Sequence, residues 1–223
     1  MNAKYRNTLK KLLSPAERRV FEKLRTPEAI QDYLDRLPIN FELGGETILS
    51  PRRVLREKKV HCIEGALFAA ASLAYHGRPP LLLDFQTAAH DEDHVVALFK
   101  EDGRWGAISK TNHTILRWRD PVYNSPRELA MSYFHEYFME DGEKTMRAYS
   151  KPFDLSRYAP KWVVAKEDLV DLVVALDDSP HFPVAGPRAM KHLRRTQPIE
   201  AKVLNITEWS KAGKKKKTLT SYR

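Results

Sequence analysis

The sequence predicts an α+β protein: helices open and close the chain, an antiparallel sheet lies between them, and one buried helix packs on that sheet. Three observations carry this. Segments with helix-start signals come first, strand-like runs follow, and helical segments return at the end, without the strand–helix alternation that winds a parallel sheet. The stretch "CIEGALFAAASLAYH" is apolar on nearly every face, as a helix buried all round must be. "DHVVALFKEDGRWGAISK" reads as a hairpin, two apolar runs about Glu101, Asp102 and Gly103, where the Asp-Gly pair suits a tight reversal.

In order along the chain, "SPAERRVFEKL" starts a helix with Ser14 as N-cap, Pro15 at the first helical position and Glu17 completing a capping box. "TPEAIQDYLDRL" repeats this start with Thr26 and Pro27, and Ile30, Tyr33, Leu34 and Leu37 share one face. "NFELGGETILS" is a loop by its Gly44-Gly45 pair and polar content, and "SPRRVLREKK" is a short helix behind Ser50 and Pro51. The central helix runs from about residue 62 to 76, with Gly77 placed to close it in the left-handed conformation. "RPPLLLDFQ" is then a strand, the hairpin follows, and "HTILRWRDP" is a further strand with Ile115 alternating against charged positions. "SPRELAMSYFHEYF" is a helix capped by Ser125, aromatic on one side. "KPFDLSRYAPKW" connects it to a last helix, "KEDLVDLVVALDD", before Pro180, Pro183 and Pro187 interrupt the chain.

The 223 residues suffice for one sizeable domain, placed at residues 1–187 with its core at about 49–123. The net charge is +9, but from Arg188 onward there are 11 basic residues against Glu200 and Glu208, and 11 − 2 = +9. The first 187 residues are therefore neutral, with 38 − 11 = 27 basic and 29 − 2 = 27 acidic groups. Residues 188–223 read as a basic, flexible tail, able at most to touch nucleic acid or an anionic surface weakly, since only Trp209 and Tyr222 flank its lysines. No stretch approaches the roughly 18 to 20 apolar residues of a membrane span. One cysteine allows no internal disulfide, and the N-terminal stretch lacks a secretory h-region, so a cytoplasmic protein is expected.

That cysteine, Cys62, stands where the buried helix begins. A thiol in the first turn feels the positive end of the helix dipole, which favours thiolate. His94 lies 32 residues further on, at the start of the first hairpin arm, as a base brought to its nucleophile by the fold would. Such a pair supports acyl transfer: His94 takes the thiol proton, the thiolate attacks an amide carbon, and the imidazolium protonates the leaving amine. The Cys62 backbone N–H is a natural oxyanion donor.

"VHCIEGALFAAASLAYHGRPPLLLDF", "DHVVALF" and "EDGRWGAISKT" together resemble the transglutaminase-like branch of the papain-fold proteins. There a helix-starting Cys is followed by a turn into a strand, a His-bearing strand, and a hairpin rich in Asp, Gly and Trp. "SPRRVLREKK" is similar to the family's short helix before the nucleophile. The likeness covers residues 49–111, about a quarter to a third of the chain. It implies a papain-like core and a thiol peptidase, amidase or acyltransferase acting on an amide- or peptide-containing substrate, with no cofactor and no metal. The family's Asp that orients the His would fall four residues after Trp105, where this chain has Ser109. A hydroxyl holds an imidazole tautomer but stabilises imidazolium far less than a carboxylate does. Ser109 takes the third position in this reading, with Asn112, Asp84 and Asp120 as alternatives. If no such group serves His94, the alternative is a catalytically inactive binding protein of the same fold. A nucleic-acid-associated accessory protein using the Lys-rich tail is a further alternative.

Other residues carry blander expectations. His61 is expected to be structural or exposed, because it would point elsewhere from a helix start. Asp91, Glu92 and Asp93 form a solvated loop that, if close, would favour protonated His94. "FHEYF" lacks the second His of a metalloprotease motif, so Tyr133, Phe134, Tyr137 and Phe138 are core. His90, His94 and His113 lack a supporting ligand motif, and Trp105 is the packing anchor of the hairpin.

Overall fold

The computed structural model describes residues 2–216 and is a mixed helical and antiparallel-sheet protein. Helix α1 (Ala3–Leu12), which the sequence pattern did not reveal, precedes α2 (Pro15–Lys23), α3 (Pro27–Asp35) and α4 (Pro51–Glu57). The starts of the last three follow from their caps. Ser14 Oγ accepts from the Glu17 N–H while the Glu17 carboxylate accepts from the Ser14 N–H; Thr26 Oγ1 and Ser50 Oγ cap α3 and α4 by accepting from the Ala29 and Arg53 N–H groups.

Helix α5 (Cys62–Tyr75) is the centre of the molecule, with Leu67, Phe68, Ala69, Ala70 and Ala71 fully buried. Its alanines let neighbours approach closely. Phe21 of α2, Ile30 and Leu34 of α3 and Val54 of α4 pack around it, each large side chain contributing roughly 1.5–3 kcal/mol by leaving water. Gly77, at φ +91°, ends the helix in a conformation that suits glycine.

Strands β1 (Leu81–Gln86), β2 (His94–Glu101), β3 (Arg104–Ile108) and β4 (Arg119–Tyr123) follow, then α6 (Pro126–Tyr133), β5 (Ala148–Ser150), β6 (Phe153–Asp154), α7 (Val170–Asp177) and β7 (His181–Pro183). The strand order is β4-β3-β2-β1-β5-β7, with β6 also on β1 and every pairing antiparallel. Alternation along β1 and β2 divides the core. Leu82, Val95, Ala97 and Phe99 face α5, whereas Leu83, Phe85, Val96 and Leu98 face Leu129, Tyr133, Phe134 and Tyr137. Register places Phe85 opposite His94, and Ala97 opposite Ile108. The end of β1, the start of β2 and the end of β3 therefore meet at one end of the sheet, beside the N-terminus of α5.

Three expectations are corrected. Residues 113–118 form no strand: β4 begins at Arg119, and the preceding segment is fixed by side chains, Arg117 Nε donating to the His113 carbonyl. The short strands β5, β6 and β7 are not among the expected elements: β6 lies in the 151–162 stretch read as a connection, β7 among the prolines that interrupt the chain, and β5 in a stretch without a strand signal, all too short for alternation to show. Residues 188–216 are not a loose tail. They include α8 (Pro187–Lys191) and α9 (Pro198–Ala201), and Trp209 is buried. Asn112 Oδ1 accepts from the Trp209 N–H at 2.7 Å and its Nδ2 donates to the Trp209 carbonyl at 3.1 Å, while Glu208 pairs with Arg117 and Lys215. The remainder of the tail, with Tyr222, falls outside the described residues. Among the described residues no helix is long and apolar enough to cross a membrane.

Candidate active site

A cleft of about 900 Å³ opens at this end of the sheet and is lined by His61, Cys62, His94, Lys110 and Tyr137 among others. Cys62 is the first residue of α5, so its N–H is one of the first-turn amides without an intrahelical acceptor. The residue keeps partial solvent access, although the sulfur itself is closely surrounded. Burial pushes the thiol pKa up. Hydrogen bonding and charge from His61 and His94 outweigh it and bring the value to about 6.

His94 begins β2, its ring stacked 6.5 Å from Phe85. Its Nε2 lies 2.8 Å from Ser109 Oγ. The Ser109 hydroxyl donates its one proton to the Leu116 carbonyl, so its oxygen accepts from His94 Nε2–H. Nδ1 is then the nitrogen with a free lone pair, the one able to take a proton from sulfur. Ser109 is held from behind: its N–H donates to Gln31 Oε1 at 3.0 Å, and Gln31 Nε2 donates to its carbonyl at 2.8 Å. Next to it, Lys110 Nζ donates to the Leu34 and Leu37 carbonyls, capping α3 and binding it to the end of β3. Burial lowers the Lys110 pKa to about 8. Gly65 makes this approach feasible, since a Cβ there would stand 2.7 Å from Lys110 Cβ.

Leu116 adopts φ +59°, a costly conformation for leucine, and is fixed at both ends of its peptide groups: its N–H donates to Glu136 and its carbonyl receives Ser109. The other proposed partners of His94 are engaged elsewhere, which corrects each alternative for the third position. Asn112 anchors Trp209. Asp84 pairs with His181 at 3.0 Å. Asp120 accepts from the Trp118 indole. His90 sits by Glu143 and His113 Nδ1 donates to the Leu204 carbonyl, so neither shares a ligand position with His94.

His61 does not point away from the cleft as expected but lines it. Extended backbone at the helix start turns its ring back over the cleft rather than away. Nε2 lies 3.0 Å from Glu42 Oε1 and 3.2 Å from the Thr47 carbonyl, both acceptors, so Nε2 carries a proton. Nδ1 is buried with no hydrogen-bond partner, and Cys62 is the strongest of the groups that raise the pKa of the ring. Burial alone would lower the His61 pKa. The sulfur, with Glu64 and Glu42, raises it to about 10. Glu42 is at φ +50°, and its loop is tied down through Glu64, fully buried near the start of α5. That carboxylate accepts from the Leu49 and His61 N–H groups, Thr47 Oγ1 and Asn40 Nδ2. The adjacent His-Cys pair was the signal for His61. Nothing local marked Glu42, Glu64 or Gln31.

No family model matches this chain, and no curated protein is significantly similar to it.

Proposed function

We propose that this protein is a thiol-dependent acyl-transfer enzyme of transglutaminase-like type with a papain-like core, hydrolysing or exchanging an amide through an acyl-enzyme on Cys62. One observation carries the reading: a thiol at a helix N-terminus lines a cleft together with two imidazoles that lower its pKa and whose Nε2 atoms are held by Glu42 and Ser109. A thiol kept only for packing needs no such surroundings.

The two imidazoles take different parts. His61, with a pKa raised to about 10, stays protonated at neutral pH and holds the thiolate by charge. It is a poor proton shuttle for the same reason. His94, with Nε2–H on Ser109 and Nδ1 free, moves the proton. The thiolate attacks the amide carbon, the C–S bond forms, and the oxyanion is received by the Cys62 N–H. His94 then gives its proton to the departing nitrogen as the C–N bond breaks. Water, deprotonated by His94, cleaves the thioester to the acid, or an amine takes the acyl group; the C–S bond breaks in either case and the thiol is regenerated. Ser109 positions the ring and supplies no countercharge, so His94 relies on the thiolate for stabilisation when charged.

Alkylation of Cys62 by iodoacetamide across pH tests the reading, together with an electrophilic amide probe. The expected rate profile inflects near pH 6, and the probe labels wild type but neither Cys62→Ala nor His94→Ala. An inflection at the ordinary thiol value, about 8.5, overturns the proposal and leaves a binding role for the fold.

A further inference from the structure

The cleft around Cys62 is bordered by carboxylates from two separate loops. Glu42 and Glu46 stand on the segment between α3 and α4; Asp91, Glu92 and Asp93 stand on the segment between β1 and β2. Most of this charge is uncompensated. Glu42 faces protonated His61, and Glu136, also in the lining, pairs with Arg119 at 2.6 Å. The others meet neutral donors only or none: Asp93 accepts from the Thr87 N–H and hydroxyl, and Asp91 from the Glu92 N–H and the Thr145 hydroxyl. Glu46 and Glu92 are exposed, with no side-chain partner among the described residues. The lining lysine, Lys110, turns its ammonium away onto the Leu34 and Leu37 carbonyls. These acids do not converge as a metal-binding group among the described residues. They act as a field over the cleft instead.

A second observation points to a ligand. Tyr137 lines the same cleft, is 3 % exposed, and its hydroxyl has no hydrogen-bond partner. A buried hydroxyl without a partner is unfavourable, and the penalty is relieved when an arriving polar group accepts from it. The same cleft offers apolar wall at Ile39, Phe41 and Phe138. An aliphatic stem ending in a cation suits such a lining, methylenes against the wall and the charged head toward the acidic rim.

We propose, building on the acyl-transfer reading, that this site selects cationic acyl donors: amides in peptides bearing lysine or arginine beside the bond attacked, with Tyr137 donating to the substrate backbone. The rims raise the local concentration of such substrates and exclude acidic ones, an effect that salt screens.

The test uses three chloroacetyl-capped tripeptide amides, identical except for a central Lys, Gln or Glu, and follows alkylation of Cys62 in the full-length protein by intact mass. At low ionic strength the Lys probe is expected to react about tenfold or more faster than the Glu probe, with Gln between. The ratio should fall toward one at about 0.5 M salt, where charges are screened beyond about 4 Å. It should fall roughly threefold in the Glu46→Gln/Glu92→Gln double variant. A Lys-to-Glu ratio near one at low salt, or one indifferent to both salt and the double variant, overturns the inference. Neutral iodoacetamide separates the two levels of argument: an inflection near pH 6 with a charge-blind ratio removes only the specificity, whereas an ordinary thiol titration removes the acyl-transfer reading itself.

Discussion

Replacing His61 by Gln removes a positive charge from the Cys62 sulfur while keeping a donor for Glu42. The thiol pKa is lowered to about 6 from an ordinary value of about 8.5, a preference for thiolate worth on the order of 3 kcal/mol at about 1.4 kcal/mol per tenfold. Burial opposes this lowering, so the two imidazoles together supply more than the net figure. If they share it evenly, each accounts for over half of the net lowering. The inflection for His61→Gln is therefore expected at about 7.5 or higher, and at pH 6.5 the thiolate fraction drops roughly tenfold. Iodoacetamide alkylation from pH 5 to 10, with thermal melting as a control for folding, measures it. Glu42→Gln should give a smaller rise, because His61 keeps its ring but loses the carboxylate that favours its proton. An inflection that stays near 6 in His61→Gln refutes the reasoning and makes His94 alone responsible.

Ser109→Ala leaves His94 Nε2–H and the strained Leu116 carbonyl without their shared hydroxyl, so turnover of an amide substrate should fall about 10- to 100-fold while alkylation of Cys62 by iodoacetamide persists. Gly65→Ala sets a methyl 2.7 Å from Lys110 Cβ and should cost about 1–3 kcal/mol, read as a lowered denaturant midpoint. Asn112→Ala removes both bonds to Trp209, and limited proteolysis should then cut within residues 197–209 faster than in wild type. Burial alone would lower the His181 pKa, but Asp84 and the Ser179 carbonyl raise it. A raised folded value stabilises below the unfolded pKa of about 6.5 and is lost as pH rises through it. The melting-temperature gap between wild type and His181→Asn should accordingly be widest below pH 6.5 and narrow toward pH 9.

Helix starts were legible because a cap is a bond over three residues: Ser14 to Glu17, Thr26 to Ala29 and Ser125 to Glu128 are all made within one turn. The buried helix and the hairpin showed through periodicity and a turn pair, which are equally local. A strand of three residues such as β7 has no periodicity to read, and its pairing with β5 joins stretches over thirty residues apart. The irregular path of residues 113–118 was hidden for a different reason, since its alternating composition mimics a strand while Glu136 and Ser109 bend the backbone at Leu116.

By itself the sequence determined that a lone cysteine opens a buried helix and that a histidine opens a strand 32 residues later, because those facts depend on caps, periodicity and turns. Only the tertiary structure decided which groups serve them. Ser109 reaches His94 because antiparallel register brings the end of β3 to the start of β2, and Gln31 fixes it from 78 residues away. His61 turns toward the sulfur because a buried Glu64 ties a distant loop, with Glu42 on it, to the start of α5. Such contacts arise from chain packing in three dimensions, where separation along the sequence sets no limit on proximity.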